Sequence, residues 1–204
     1  MNHVVASALE LLEQLVRIGA PTGREHARAA FVARWLREAG LGDPTPDDDA
    51  NVFLWLGPQD QPALVIDAHL DTVFPDLQVE LRKEPGRWHA PGISDNTVHV
   101  AMLMAWARHR QQTGRPWPAT LLSFSVGEES QGKLLGMKCL TRDYAGRISQ
   151  ALVLDMGIHS ICRQGTGTVR SKVCFQSPGG HSWSGFGKTS ALTCACQWIT
   201  QISA

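Results

Sequence analysis

Apolar residues recur at helical spacing within residues 1–19, with charged residues between them. This pattern predicts an amphipathic surface helix. Its apolar positions are Leu9, Leu12, Leu15 and Val16. The segment has no basic start and no continuous apolar stretch, so we do not expect a secretory signal. No part of the chain approaches the ~18 uninterrupted apolar residues that a membrane span needs, and we expect no membrane partner.

A second helix is predicted from Thr22 to Gly40. Thr22 and Glu25 have the spacing of a capping box, in which the first side chain caps the helix and the second bonds back to it. The residues that we expect this helix to bury are Ala27, Phe31, Trp35 and Leu36.

Four apolar segments further along the chain are typical of strands. They are residues 52–56, 63–68, 120–126 and 151–154. The last three are continuous apolar runs, which indicate strands covered on both faces. Helices are predicted between them, at about 97–110 and 133–140. This alternation predicts an α/β fold with a mostly parallel sheet and flanking helices.

The pattern changes after Gly165. Residues 168–177 alternate between apolar and polar, which predicts a half-exposed strand; a Pro-Gly-Gly turn and a helix at about 189–202 follow. We therefore predict two domains, at residues 1–165 and 166–204. The second would be only the start of a small α+β domain.

Composition favours a soluble globular protein that acts on a small substrate. The chain has 204 residues, 43% of them hydrophobic, and its 19 basic residues balance its 19 acidic residues. Without a net positive field, nucleic acid is not an expected partner. The five cysteines are odd in number and form no CxxC pair, which favours the reducing cytoplasm.

Metal-ligand residues follow three of the apolar runs, and another lies in a loop before a helix. They are His69 with Asp71, the pair Glu128 and Glu129, Asp155, and the loop residue Asp95. Each alone has an ordinary structural explanation, such as a hydrogen-bonded imidazole, a solvated strand end or a helix N-cap. Together, at the carboxyl ends of strands, they would repel each other unless a cation lay among them.

An imidazole with carboxylates and no thiolate suits zinc, and manganese or cobalt could replace it. One divalent cation or a pair would satisfy the pattern. Asp71 lies two residues after His69 on an extended segment, so both side chains point to the same side. Asp71 could therefore hold the His69 ring in place.

This ordered set of residues resembles peptidase family M20, whose members include tripeptidases, glutamate-type carboxypeptidases, aminoacylases and deacylases. The resemblance implies a zinc exopeptidase-like catalytic domain with two zinc ions bridged by Asp95. It places His69 and Asp155 on one ion and Glu129 on the other. Glu128 would be the general base, and Asp71 would orient His69.

Residues 177–182 are similar to the lid-domain motif of the same family. The resemblance implies that His181 supports the carbonyl oxygen of the substrate, often across a dimer interface, and that a homodimer forms through the lid domain. A surface loop histidine is the alternative for His181.

The chain departs from the family pattern in two places. Residues 97–100 replace the small residues that usually follow the bridging aspartate. No histidine before Ala204 matches the downstream ligand that closes the second metal site. We therefore expect that this chain is an N-terminal portion of a longer protein. In this portion, Asp95 and Glu129 alone would hold the second ion weakly.

Three functions remain open from the sequence. The first is a zinc-dependent hydrolase of peptide bonds in small substrates, or, within this class, an N-acyl amino acid deacylase. The second is an inactive fragment that binds at most one metal ion. A serine hydrolase is the weakest, because no GxSxG motif is present and Ser123 and Ser125 lie within a predicted strand.

Overall fold

The computed structural model describes residues 3–129 and 132–155 with their side chains, and the backbone of 170–176 and 182–188. The chain divides into two compact units, Met1–Ile158 and His159–Ala204.

A four-stranded sheet with helices around it forms the first unit. Its helices are α1 (His3–Val16), α2 (His26–Glu38), α3 (Val98–Gln112) and α4 (Leu135–Asp143), with a π-helical turn at Ile93–Thr97 directly before α3. Its strands are β1 (Val52–Leu56), β2 (Ala63–Asp67), β3 (Arg82–Glu84), β4 (Arg87–His89), β5 (Thr120–Phe124) and β6 (Ile148–Val153). Strands β3 and β4 form a separate hairpin that the sequence pattern did not indicate.

The sheet order is β1-β5-β2-β6. Strand β2 pairs in parallel with both β5 and β6, whereas β1 pairs antiparallel with β5. The prediction of a mostly parallel sheet with flanking helices is therefore confirmed. The parallel strands place their carboxyl ends at the same edge of the sheet, which is where a ligand site is expected in such folds.

Burial differs along the sheet. Every residue of the central strand β5 is buried, and Leu122 and Phe124 of this strand pack in the main core with residues of α1, α2 and α3. In β6, by contrast, Leu152 is 47% exposed and Val153 is 51% exposed. The prediction that β6 is covered on both faces is wrong, because an apolar run does not reveal whether its strand lies at the centre or at the edge of a sheet.

The buried face of helix α2 agrees with the prediction at Leu36 but not at the other three positions. The buried residues are Arg28, Ala29, Val32, Ala33 and Leu36, while Ala27 is exposed and Phe31 and Trp35 are only partly buried. The capping box is also wrong, because Glu25 itself occupies the N-cap position and the hydroxyl of Thr22 donates to Asp71. A hydrophobic pattern assigns arginine to the solvent side, and here Arg28 points inward.

The second unit contains an antiparallel hairpin of β7 (Arg170–Gln176) and β8 (Ser182–Lys188). Strand β7 agrees with the strand predicted at 168–177, whereas β8 was not predicted. The helix predicted at 189–202 lies outside the described residues. The domain boundary after residue 165 and the lid assignment stay predictions.

Within the part of the chain that the structure describes, no helix has both the length and the hydrophobicity needed to cross a membrane.

The buried face of α2 can be tested with Leu36, which is fully buried in the main core. We expect Leu36→Ala to lower the free energy of unfolding by about 2–5 kcal/mol, because it removes packed methyl groups and leaves a cavity. Urea denaturation followed by circular dichroism measures this change. Ala27→Ser on the exposed face is the control, and an equal loss in both variants would contradict this orientation of α2.

Candidate metal centre

The hydrogen-bonding pattern of the sheet continues past the ends of its strands. The backbone N–H of Ala68 donates to the carbonyl of Ser123 at 3.1 Å, and that of Leu70 donates to Ser125 at 2.7 Å. The N–H of Leu154 donates to the carbonyl of Asp67 at 2.8 Å. These bonds keep the segments after β2, β5 and β6 side by side, and each segment carries predicted site residues.

The imidazole of His69 lies at the centre of this group and is buried. Its Nε2 lies 3.2 Å from Asp95 Oδ1, 3.8 Å from Asp155 Oδ1 and 3.9 Å from Glu128 Oε2. Among the described residues, this buried Nε2 forms no hydrogen bond. A ring nitrogen that is buried, faces carboxylate oxygens and lacks a hydrogen bond has the surroundings of a metal ligand.

Asp71 is fully buried and holds several groups at once. Its Oδ1 accepts from the backbone N–H of Glu128 at 3.0 Å. Its Oδ2 accepts from the N–H of Glu129 at 3.0 Å and from the hydroxyl of Thr22 at 2.9 Å. The Nδ1 of His69 lies 3.3 Å from Oδ1 and 3.1 Å from the backbone carbonyl of Asp71. Asp71 thus fixes the ring of His69 and also the backbone of the Glu128–Glu129 pair.

The segment that carries Asp95 is tied to the end of β6. The side-chain amide of Asn96 donates to the carbonyl of Leu154 at 2.9 Å. On the other side of the segment, Gly92 has a positive φ of 68° and packs so closely against Thr72 that a Cβ atom would lie 2.4 Å from its methyl group. These contacts hold Asp95 between His69 and the strand end that carries Asp155.

The Glu128–Glu129 pair lies in a loop where the backbones of Gly127 and Gly132 pass very close to each other. Gly127 has a φ of 62°, and a Cβ atom on Gly132 would lie 2.2 Å from the Cα of Gly127. The N–H of Gly132 donates to the carbonyl of Glu129 at 2.6 Å. Only glycine fits such a close approach of two backbones.

Two groups of side chains have the spacing that a metal ion needs. Ligand atoms of His69, Asp95 and Asp155 lie within 4.8 Å of one another, and so do those of His69, Glu128 and Glu129. The structure thus brings together the five residues that the sequence suggested as metal ligands or base. The first group matches the set that the resemblance implied for one ion; which residues bind a metal stays a proposal.

The charges of the site agree with a cation among these residues. Burial by itself lowers the pKa of His69, but the carboxylates of Asp155 and Asp71 outweigh it and raise this pKa to about 10. Burial raises the pKa of Glu128, and the charges of Asp155 and Asp71 add to this effect. Burial and the charge of Asp95 raise the pKa of Glu129. The group carries more negative charge than one imidazole neutralises, so the donor set fits a divalent cation.

Asp71 behaves differently from the glutamates. Its burial would raise its pKa, but hydrogen bonding to His69 and to the N–H groups of Glu128 and Glu129 lowers this pKa below its usual range. Asp71 is therefore held as a carboxylate. An ionised acceptor is what the orienting role requires.

Three buried polar residues behind the site were missed from the sequence. Asp67 accepts from the hydroxyls of Ser123 and Ser125, and its burial raises its pKa to about 6. Glu25 accepts from the N–H of Gly127 at 3.3 Å, and Arg28 bonds to the segment that carries His69. Both serine hydroxyls are buried and donate to Asp67, which argues further against a serine hydrolase. Asp67 lies within a predicted strand and Glu25 in the predicted capping box, but no sequence pattern indicated the buried hydrogen bonds that these two residues and Arg28 form.

Two other histidines were considered at the sequence level. His181 lies outside the described residues, and its role stays a prediction. His99, part of the departure from the family pattern, is buried at the start of α3, and its burial lowers its pKa. It belongs to neither group of potential ligands found in the described residues.

Comparison with known proteins agrees with the fold. The family model described as peptidase family M20/M25/M40 matches residues 65–187, more than half of the chain. A proposed LysW-lysine/LysW-ornithine hydrolase of Aeropyrum pernix is 28% identical over 169 residues, which are 81% of this chain and 43% of that protein. A peptidase M20 domain-containing protein of Schizosaccharomyces pombe is 31% identical over 139 residues, which are 64% of this chain and 33% of that protein.

The structural comparison leads to the same group. The aminopeptidase PepT of Bacillus cereus superposes with a TM-score of 0.62 at 19% identity, over 82% of this chain and 46% of that one. At this identity the match shows a shared fold. The chain spans less than half the length of these relatives.

Fold and site together define an α/β protein with a carboxylate-imidazole cluster at the carboxyl edge of its sheet. The chain belongs to peptidase family M20/M25/M40.

The role of Asp71 can be tested with Asp71→Asn. An amide keeps the shape but has only one acceptor oxygen, so its NH₂ group would face a backbone N–H of the Glu128–Glu129 pair. We expect zinc affinity to fall about 10–100-fold, the usual effect of losing a partner that orients a ligand. Competition with a fluorescent chelator measures the affinity. Asp143→Asn, on the surface, is the control, and wild-type affinity in Asp71→Asn would rule out the role.

Proposed function

We propose that the protein is a zinc-dependent hydrolase of peptide or acyl-amide bonds in small substrates. The observation that carries the proposal is the buried Nε2 of His69, which has no hydrogen bond among the described residues and faces the carboxylates of Asp95, Asp155 and Glu128. Family membership supports the same chemistry. Manganese or cobalt could occupy the same donor set.

Each residue of the cluster has a distinct proposed role. His69, Asp95 and Asp155 would hold one ion, while Asp95 and Glu129 would contribute to a second. Zinc bound there would acidify a water molecule and polarise the scissile carbonyl. Asp71 would hold the imidazole of His69 and the backbone of the Glu128–Glu129 pair in position relative to the other ligands.

Glu128 is the proposed general base. Its side chain is 35% exposed, so it can reach a substrate. A carboxylate that lies beside the proposed ligands and is open to a substrate has the position that a general base needs. It would take the proton from the attacking water and pass it to the leaving nitrogen.

The substrate class has two candidates within this chemistry. Two relatives are named as hydrolases: one is an aminopeptidase, and the other is a hydrolase of LysW-lysine and LysW-ornithine. A small peptide and an N-acyl amino acid both present an amide carbonyl to the same cluster. We keep the peptide as the leading substrate and the deacylase as the alternative. A cytoplasmic location and a homodimer remain part of the proposal.

A chain that binds at most one ion and lacks activity is the competing hypothesis. It is favoured by the ligand count, since Asp95 and Glu129 would be the only described ligands of the second ion. A catalytic zinc usually has about three protein ligands.

The number of bound ions separates these hypotheses. We expect native mass spectrometry to find at least one zinc ion per chain, and fewer in His69→Ala, because His69 belongs to both ligand groups. Two ions in the wild type would support the dinuclear centre, whereas one ion without turnover would support the inactive fragment. An absence of zinc would contradict the zinc-dependent hydrolase and leave the inactive alternative, which binds at most one ion.

The base can be tested with Glu128→Gln, which keeps the size of the side chain. We expect kcat/KM to fall about 10²–10⁴-fold, as for loss of a general base, while zinc content stays close to wild type. The assay uses a panel of dipeptides, tripeptides and N-acetyl amino acids. Glu84→Gln in the exposed strand β3 is the control, and unchanged hydrolysis in Glu128→Gln would exclude Glu128 as the base.

A further inference from the structure

Arg28 is a buried cation next to the candidate centre. Only 1% of the residue is exposed, although it lies in the first turn of a helix whose other charged residues face solvent. Its described acceptors are all neutral oxygens: two backbone carbonyls and one hydroxyl. Burying a guanidinium is unfavourable unless its N–H groups are satisfied, so this arrangement is a specific feature of the fold.

The guanidinium joins three separate segments. Its Nε and Nη2 donate to the carbonyl of Ile18, at 2.9 and 2.7 Å, in the connection between α1 and α2. Its Nη1 donates to the carbonyl of Leu70 at 2.8 Å and to the hydroxyl of Thr97 at 3.1 Å. The planar fork of arginine reaches all three at once, which one ammonium group cannot do.

Two of these segments carry candidate ligands. Leu70 lies between His69 and Asp71, and Thr97 lies two residues after Asp95. The same Nη1 therefore bonds to both segments, whose residues His69 and Asp95 approach each other to 3.2 Å between Nε2 and Oδ1. The hydroxyl of Thr97 also donates to the carbonyl of Gly92 at 2.7 Å, so the hydrogen-bond chain from Arg28 continues to Gly92.

We propose that Arg28 is a positioning residue of the metal centre, whose guanidinium holds the His69 segment against the Asp95 segment and so sets the spacing of these two ligands. The inference rests on the proposed function, since it assumes that His69 and Asp95 bind a metal ion. Arg28 touches neither the metal nor the substrate in this arrangement.

Arg28 is also charged at neutral pH. Burial lowers its pKa to about 10, while the charges of Asp71 and Glu25 act in the opposite direction, so the guanidinium stays protonated. A neutral residue at position 28 would remove both the hydrogen bonds and this charge.

The test compares three variants by titration with Co²⁺, whose visible absorption reports the coordination geometry. Arg28→Met removes both the charge and the hydrogen bonds. Arg28→Lys keeps the charge but lacks the planar guanidinium that donates to all three segments. Leu36→Ala is the matched control, because it destabilises the same helix two turns away from Arg28 without touching the centre. Urea denaturation of each variant shows that the titration is done on folded protein.

We expect Arg28→Met and Arg28→Lys to bind Co²⁺ about 10–100-fold more weakly than the wild type and with altered absorption bands. Leu36→Ala should keep the wild-type bands and an affinity within about twofold of it. If Arg28→Met does not fold, Thr97→Val takes its place, since it removes the bond to Nη1, together with the bond to the Gly92 carbonyl, with little change in shape. A weaker affinity in Thr97→Val would then support the proposal.

Wild-type spectra and affinity in the Arg28 variants, or in Thr97→Val, would overturn the positioning role and leave the proposed function intact. An equal effect in Leu36→Ala would also overturn it, because general destabilisation would then explain the loss. A wild-type protein that binds no Co²⁺, or binds it as well after His69→Ala, would instead refute the metal centre on which the inference rests.

Discussion

The buried carboxylate of Asp71 accepts hydrogen bonds from the backbone of Glu128 and Glu129 and from Thr22, while it faces the ring of His69. The arrangement of the candidate centre depends on this one group. Burying a carboxylate away from solvent is unfavourable unless several hydrogen-bond donors satisfy its oxygens. Its donors come from the linker before α2 and from the segment after β5, so the geometry of the site and the packing of the sheet are fixed by the same bonds.

Much of the architecture follows from sequence pattern. Continuous apolar runs located β2 and β5, and ligand-type residues directly after them located the edge of the sheet where a site forms. This works because parallel strands end at a common edge, so that a one-dimensional pattern implies a meeting point in space. The family resemblance, drawn from His69 and the residues ordered after it, is confirmed by the family match.

What the sequence did not reveal has a common physical cause. Arg28, Glu25 and Asp67 are buried because distant backbone groups and hydroxyls satisfy them, and periodicity contains no information on such partners. The exposure of β6 was missed for a similar reason, since hydrophobicity does not show how many strands lie beside a given one. Tertiary contacts decide which polar residues are buried and which strand lies at the edge of a sheet.

The order of the site residues along the chain has a consequence for biosynthesis. His69, Asp95, Glu128, Glu129 and Asp155 all belong to the first compact unit, which ends at Ile158. Domains generally fold as units, the N-terminal one first as the chain leaves the ribosome. All the residues that we propose as ligands are therefore synthesised before the second unit, with its hairpin of β7 and β8, begins.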